Sequence, residues 1–339
     1  MTAVKDYVLL GGGCRMPIIG LGTWDLVGEE LEAVLNTALT IGYRHIDTAF
    51  MHCNEQSIGR VIRDWLESKR VKRKELFITS KLPPTGMHPE KVKHFCQLSL
   101  QNLGLSYLDM YLIQLPVGIK YSNDDELFTT SPDGTIATDC GTDIARVWKE
   151  MEKLVEEGLI KNIGISNFNE EQLEHLLHVA VIKPANLQIE VHAYFQQRDI
   201  RRFCKENGIT TTAFCPLGSP NRDKILFSKG NCKVGNLLTD PMVVCLAEKC
   251  EKSSAQILLR HAIQKGITVI PKASSKERLQ ENLDIFNFYL IPSEMKQLDS
   301  LDKGQFERTF DYSFLGESFR THHEFPFSPK IDESLNPHH

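Results

Sequence analysis

Apolar residues along this chain follow two periods that take turns. Residues 29–40 place Leu31, Val34, Leu35, Ala38 and Leu39 at helical spacing, and a short apolar run over 43–47 then ends on Asp47. A second helical stripe, Ile58, Val61, Ile62 and Trp65, starts after Asn54, and LFITSK (76–81) reads as the next strand. Pro89 suits the first turn of a helix running to about Leu103. LDMYLIQL (108–115) lacks polar alternation, as expected of a strand covered on both faces. A helix over 143–157 closes at Gly158, and after the strand at 160–165 either Asn167 or Asn169 can cap the helix that follows. Strand 186–190, helix 197–207, strand 209–214, helices near 241–250 and 254–265, strand 267–271 and helix 275–283 continue the pattern. Ahead of it, DYVLLGGGCRM (6–16) reads as a hairpin around a glycine triplet, and Ile18 to Gly22 as a buried strand.

Eight strands interleaved with helices predict a parallel sheet. An open, doubly wound sheet would carry a glycine-rich phosphate loop in its first βα turn, and LGTWDLVG has no G-x-G-x-x-G. A closed (β/α)8 TIM barrel fits better. It would have an N-terminal hairpin, with loops 116–142 and 215–239 and the tail after 302 lying over its C-terminal mouth. With neither a linker nor a sequence repeat, residues 1–339 read as one domain.

Composition narrows the function. A 339-residue chain that is 41% apolar and 24% charged can bury a large core. A net charge of −5, with Lys and Arg dispersed, points to no nucleic acid and no anionic membrane surface. The start has no signal-peptide pattern and no apolar run is long enough to span a bilayer, so a cytoplasmic location is expected. The nine cysteines contain no C-x-x-C and none of the paired spacings of a zinc site. They are expected to be reduced and mostly in packing roles, and the terminal Pro337-His338-His339 is too short for a metal tract, so no metal is expected.

Asp47, Lys81 and Gln114 each end a predicted strand, and in a barrel all three would converge on one mouth. For a lone Asp or Lys, a surface charge or a helix cap is the ordinary explanation. Three polar groups at successive strand ends are harder to explain that way. Asp47 and Lys81 are expected to form a buried ion pair, because either charge left alone inside a barrel would cost several kcal/mol. Further on, IPKASSKERLQEN (270–282) sets Lys272 and Arg278 around a helix start, a receptor for a phosphate dianion.

These stretches, from IGYRHIDTAFMHCNE (41–55) through TSKLP (79–83), GLIKNIGISNF (158–168) and PLGS (216–219) to IPKASSKERLQENL (270–283), resemble the aldo-keto reductases block by block and in order. The resemblance extends from about Leu21 to Pro326. It implies hydride transfer from NADPH to a small-molecule carbonyl, with an active-site tyrosine supplying the proton, and by analogy with most relatives a monomer. Asp47 and Lys81 correspond to the acid and lysine that tune that tyrosine. His52 stands at the tyrosine position, and Gln114 at that of a histidine that orients the carbonyl. On the cofactor side, Ser166, Asn167 and Gln188 match the partners of the nicotinamide amide. Phe214 stands where a tyrosine usually stacks on the ring. Thr23 and Trp24 align with the cofactor's centre and the substrate wall, with Asp47 beside them, and Leu217 and Ser219 with the segment over the pyrophosphate. Lys272, Ala273 and Arg278 match the 2′-phosphate site, Ala273 replacing a usual hydroxyl, and Glu281 and Asn282 match the pair holding the adenine.

An imidazole beside a cationic lysine is pushed toward its neutral form, which is a poor acid but can still polarise a carbonyl. Were Asp47 nearer to His52 than Lys81 is, the imidazolium would survive. Three readings follow: an NADPH-dependent reductase of aldehydes and ketones, steroid-like ketones among the candidates, with an altered proton donor and best on easily reduced carbonyls such as quinones or dicarbonyls; a catalytically impaired NADP(H)-binding protein with a sensing or structural role; and an oxidoreductase acting on double bonds. Trp24, Phe50, Phe128, Phe310, Phe325 and Phe327 are the candidate walls of an aromatic substrate pocket.

Overall fold

The computed structural model describes residues 6–220 and 235–327. Residues 221–234 of the predicted loop 215–239 and the terminal Pro337-His338-His339 lie outside the described residues. A two-stranded antiparallel hairpin, β1 (Tyr7–Leu9) and β2 (Arg15–Pro17), comes first, as its glycine triplet suggested. Eight strands then pair in parallel in chain order: β3 (Leu21–Gly22), β4 (His45–Asp47), β5 (Phe77–Leu82), β6 (Met110–Ile113), β7 (Ile163–Ser166), β8 (Asn186–Glu190), β9 (Thr210–Phe214) and β10 (Thr268–Val269).

The sheet curls until its first and last strands meet. Gly20 N donates to Val269 O at 2.9 Å, Val269 N to Ile18 O at 2.9 Å and Gly22 N to Pro271 O at 3.2 Å, which joins the two edges. Two glycines permit the approach. A Cβ on Gly22 would lie 2.5 Å from the carbonyl oxygen of Ile270, and one on Gly20 would lie 2.8 Å from the ring of His45. This is the expected (β/α)8 barrel.

The helices bury the residues whose spacing predicted them. Helix α1 (Gly28–Ile41) buries Leu31, Val34, Leu35, Ala38 and Leu39 and stops at Gly42, whose φ of 115° few other residues tolerate. Helix α2 (Glu55–Glu67) turns Ile58, Val61, Ile62 and Trp65 inward. Of the two candidate caps before the helix Glu170–Val179, Asn169 is the one used: its side chain accepts from Gln172 N.

Several strands are shorter than their apolar runs. Leu108 and Ile160 meet in a single bridge outside β6 and β7, and Ile19 pairs with Val269 in the same way, so the run continues past the regular ladder. Burial extends further than strand pairing, which is why the runs overshoot. Apolar patterning also passed over a helix at Pro292–Asp299 and short helical turns at Gly304–Glu307, Ser313–Leu315 and Glu317–Arg320, which lie in the tail after the last barrel unit. The polar loop 116–142 is ordered by bridges Ile119–Thr138 and Thr130–Ile136. Among the described residues no helix is long and apolar enough to cross a membrane.

Candidate active site

Asp47 is the last residue of β4, Lys81 lies near the end of β5, and Gln114 follows β6, so parallel pairing brings all three to one end of the barrel. Lys81 Nζ is 2.6 Å from Asp47 Oδ1, with only 4% of either side chain exposed, and also donates to Thr48 O at 2.8 Å. The expected buried ion pair is therefore present. The second oxygen of Asp47 is also occupied: Gln188 Nε2 donates to Oδ2 at 2.7 Å. Asp47 thus ties together strands β4, β5 and β8.

His52 closes a short 3-10 turn, Phe50–His52, ahead of α2. Asn54 helps to hold this turn. Rather than capping α2, its side chain accepts from Thr48 Oγ1 at 2.8 Å and donates to the carbonyls of Thr23 and Leu26 at 2.9 and 3.0 Å. Burial and then the charge of Lys81 hold the His52 imidazole well below its usual range. Asp47 does not offset this, its charge being balanced by the ion pair with Lys81. His52 is therefore neutral, the first of the two states left open above. Its Nδ1 is buried without a hydrogen-bond partner among the described residues, and so is Oε1 of Gln114. Two orphaned polar atoms at one pocket end are what a site awaiting a polar ligand shows.

All seventeen predicted site residues line one continuous cavity of about 910 Å³. At one end stand His52, Lys81 and Gln114; at the other, Lys272, Arg278, Glu281 and Asn282. Between them lie Thr23, Trp24, Asp47, Ser166, Asn167, Gln188, Phe214, Leu217, Ser219 and Ala273. The far end is bordered by the starts of two helices, Ser254–Gln264 and Lys276–Leu283, capped by Ser253 and Ser275. Their outward-facing amides add to the positive potential of Lys272 and Arg278. One feature there was not foreseen: Lys272 Nζ pairs with Asp25 Oδ2 at 3.0 Å. The shape, the orphaned donors and acceptors and the paired cations fit a dinucleotide with a phosphate at its outer end.

The aromatic wall is only partly as expected. Trp24, Phe128 and Phe310 line the cavity, and Phe310 packs edge-on against both Trp24 and Phe214, at 5.4 and 5.7 Å. Phe50, Phe325 and Phe327 do not line it. Phe50 packs against Phe95 at 5.0 Å, Phe325 against Phe319, and Phe327 stacks behind Tyr312. Tyr312 and Cys215 do line it and were not anticipated. Cys215 directly follows β9, so its place at the mouth was within reach of the strand pattern, whereas the tail that carries Tyr312 reaches the mouth only by tertiary packing. Its anchor is Glu190 at the end of β8, which accepts from Thr309 N at 2.9 Å and Phe310 N at 3.0 Å. Burial alone would raise the carboxyl of Glu190, but His192 and these amides hold it below its usual range.

A (β/α)8 barrel with Asp47, Lys81 and Gln114 gathered at its strand ends and a long cavity across that mouth has the layout of an enzyme barrel. Residues 18–303 match the aldo/keto reductase family, and the chain belongs to it. It is 42% identical over 304 residues to the chicken (Gallus gallus) aldo-keto reductase family 1 member A1, covering 89% of this chain and 90% of that one. Against the human (Homo sapiens) member A1 it is 41% identical over 297 residues, covering 87% and 89%. Among solved structures, the aldose reductase from Schistosoma japonicum superposes with a TM-score of 0.86 at 40% identity, covering 96% of this chain and 100% of that one. The chain is an oxidoreductase of the carbonyl-reducing kind.

Proposed function

We propose that this protein is an NADPH-dependent reductase of small aldehydes and ketones, with an altered proton donor. The observation that supports this most is the single cavity that runs from His52 and Gln114 to Lys272, Arg278 and Asn282. When bound, the reduced nicotinamide would supply the hydride. Ser166, Asn167 and Gln188 would hold its amide and Phe214 would present an aromatic face to its ring. Lys272 and Arg278 would receive the 2′-phosphate, Glu281 and Asn282 the adenine.

The rest of the work falls to the barrel mouth. Trp24, Phe128 and Phe310 would exclude water and press a flat apolar carbonyl compound into place. The Gln114 amide and the neutral His52 ring would orient its oxygen through hydrogen bonds. Exchanging a well-placed general acid for a weaker donor forfeits part of the roughly 10²–10⁴-fold that such a group contributes. Quinones, dicarbonyls and other easily reduced carbonyls should therefore be the best substrates.

Following NADPH absorbance across a panel of aldehydes, ketones and quinones tests this reading. Oxidation of NADPH by at least one class is expected, with an alcohol or hydroquinone as product. Binding of NADPH with no oxidation by any compound would replace this reading with the second one, an NADP(H)-binding protein impaired in catalysis, which the neutral His52 favours. Product analysis on an enone would detect double-bond reduction. A cytoplasmic monomer is proposed with it.

A further inference from the structure

Tyr312 lines the cavity and is the only tyrosine among its described lining residues. Its Oη accepts from Asn167 Nδ2 at 3.3 Å, and the same Nδ2 lies 3.0 Å from the backbone oxygen of Gln114 and 3.1 Å from Ser166 Oγ. Tyr312 thus shares the Asn167 amide, just past β7, with the backbone of Gln114, whose side-chain Oε1 lacks a partner. Among the described residues nothing accepts the hydroxyl proton of Tyr312.

The placement is rigid. Tyr312 has a φ of 56°, in the left-handed region that a residue with a side chain adopts only when its surroundings require it. Phe327 stacks on the ring, 6.0 Å between centroids and 9° from parallel, and Phe319 packs beside it. Two residues upstream, the amide of Phe310 is fixed by Glu190, on the same strand as Gln188. The tail is therefore pinned to β8, whose Gln188 hydrogen-bonds Asp47 of β4, and the phenol has little freedom to leave the site.

We propose that Tyr312 is a catalytic residue whose Oη–H binds the carbonyl oxygen and protonates it during reduction. The inference rests on the reductase reading above. As a hydride from the reductant, a reduced nicotinamide dinucleotide, adds to the carbonyl carbon, the π pair moves onto oxygen. That oxygen takes the proton from Tyr312, the pair of the broken Oη–H bond stays on the phenolate, and water returns a proton to it. Burial, and then the charge of Glu190, push this phenol above its ordinary range, so it stays protonated and available. The acidity is still sufficient, because a developing alkoxide is comparable in basicity to hydroxide and so takes a proton even from a weakly acidic phenol. His52, neutral and with an unpartnered Nδ1, complements this as a polarising neighbour.

The test compares wild-type protein with Tyr312→Phe and His52→Phe, reading turnover, NADPH affinity by fluorescence and benzoate affinity by calorimetry, with and without NADP. Benzoate presents an anionic oxygen where the alkoxide would form. Tyr312→Phe should cut kcat by about 10²–10⁴-fold and weaken benzoate by about 10–100-fold, the worth of one hydrogen bond to a charged group. NADPH affinity should stay within about twofold, and His52→Phe should have the smaller effect on kcat. Unchanged benzoate affinity in Tyr312→Phe overturns the proposal whether or not the wild type turns over. So does a tighter hold on NADPH, which would mean that the phenol merely occupies the nicotinamide's place. A wild type that never oxidises NADPH, yet loses benzoate on Tyr312→Phe, overturns the reductase reading and leaves Tyr312 as the oxygen's anchor.

Discussion

Lys81 Nζ lies 2.6 Å from Asp47 Oδ1, and both charges are almost completely removed from water. Such a pair is costly to halve. Lys81→Met should lower stability by about 3–5 kcal/mol, because it strands a buried carboxylate. The double variant Asp47→Leu, Lys81→Met should regain most of the loss. Urea titrations of the three proteins check this, and equal losses in the single and double variants would contradict it.

His52→Tyr should raise turnover by at least about tenfold, toward the range that a placed general acid contributes. A phenol there would stand beside Lys81, whose charge favours the phenolate and lowers the phenol's pKa. The same change should rescue Tyr312→Phe. Steady-state rates on one good substrate decide the matter, and no gain in either background would mean that the site serves another reaction.

Arg278→Ala should weaken NADPH by about 10–100-fold, one charge-assisted bond to phosphate, and leave NADH nearly unchanged. Parallel fluorescence titrations of the two cofactors make the comparison. Equal losses for both would remove the phosphate receptor from the account.

Asp25 competes with any bound phosphate for Lys272, from which it is 3.0 Å away. Asp25→Asn should therefore tighten NADPH, by up to about fivefold, since a half-exposed pair is worth about 0.2–1 kcal/mol. The gain should shrink as salt is added. Weaker binding in the variant would mean that Asp25 supports the cofactor instead.

Stability should fall as pH drops from 7 toward 5. His52 in the folded protein is held well below the unfolded imidazole value of about 6.5. Below that value the unfolded chain takes up a proton that the folded chain does not, so acid favours unfolding. His45 and His261 are also lowered by burial and act in the same direction. His52→Phe should flatten the dependence without abolishing it. Thermal unfolding of both proteins at pH 5, 6 and 7 provides the test, and parallel curves would place His52 in contact with solvent.

The apolar periods of this chain decided a good deal by themselves. Strands must bury both faces and helices one stripe, so Leu31, Val34 and Ile58 announce their elements, and strict alternation leads to a parallel barrel. Because a barrel aims its strand ends at one mouth, Asp47, Lys81 and Gln114 could be assigned to a common site before any distance was known. Local chemistry does not carry across the chain. Whether His52 is charged depended on its burial and on the charge of Lys81 in β5. The pairing of Asp25 with Lys272 and the arrival of Tyr312 beside Asn167 join segments with no shared period, as does the packing of Phe50 away from the pocket. Periodicity reports which face of an element is buried. Which distant side chains share that burial, and so which of them lose or keep a proton, is set by the close packing of the folded barrel.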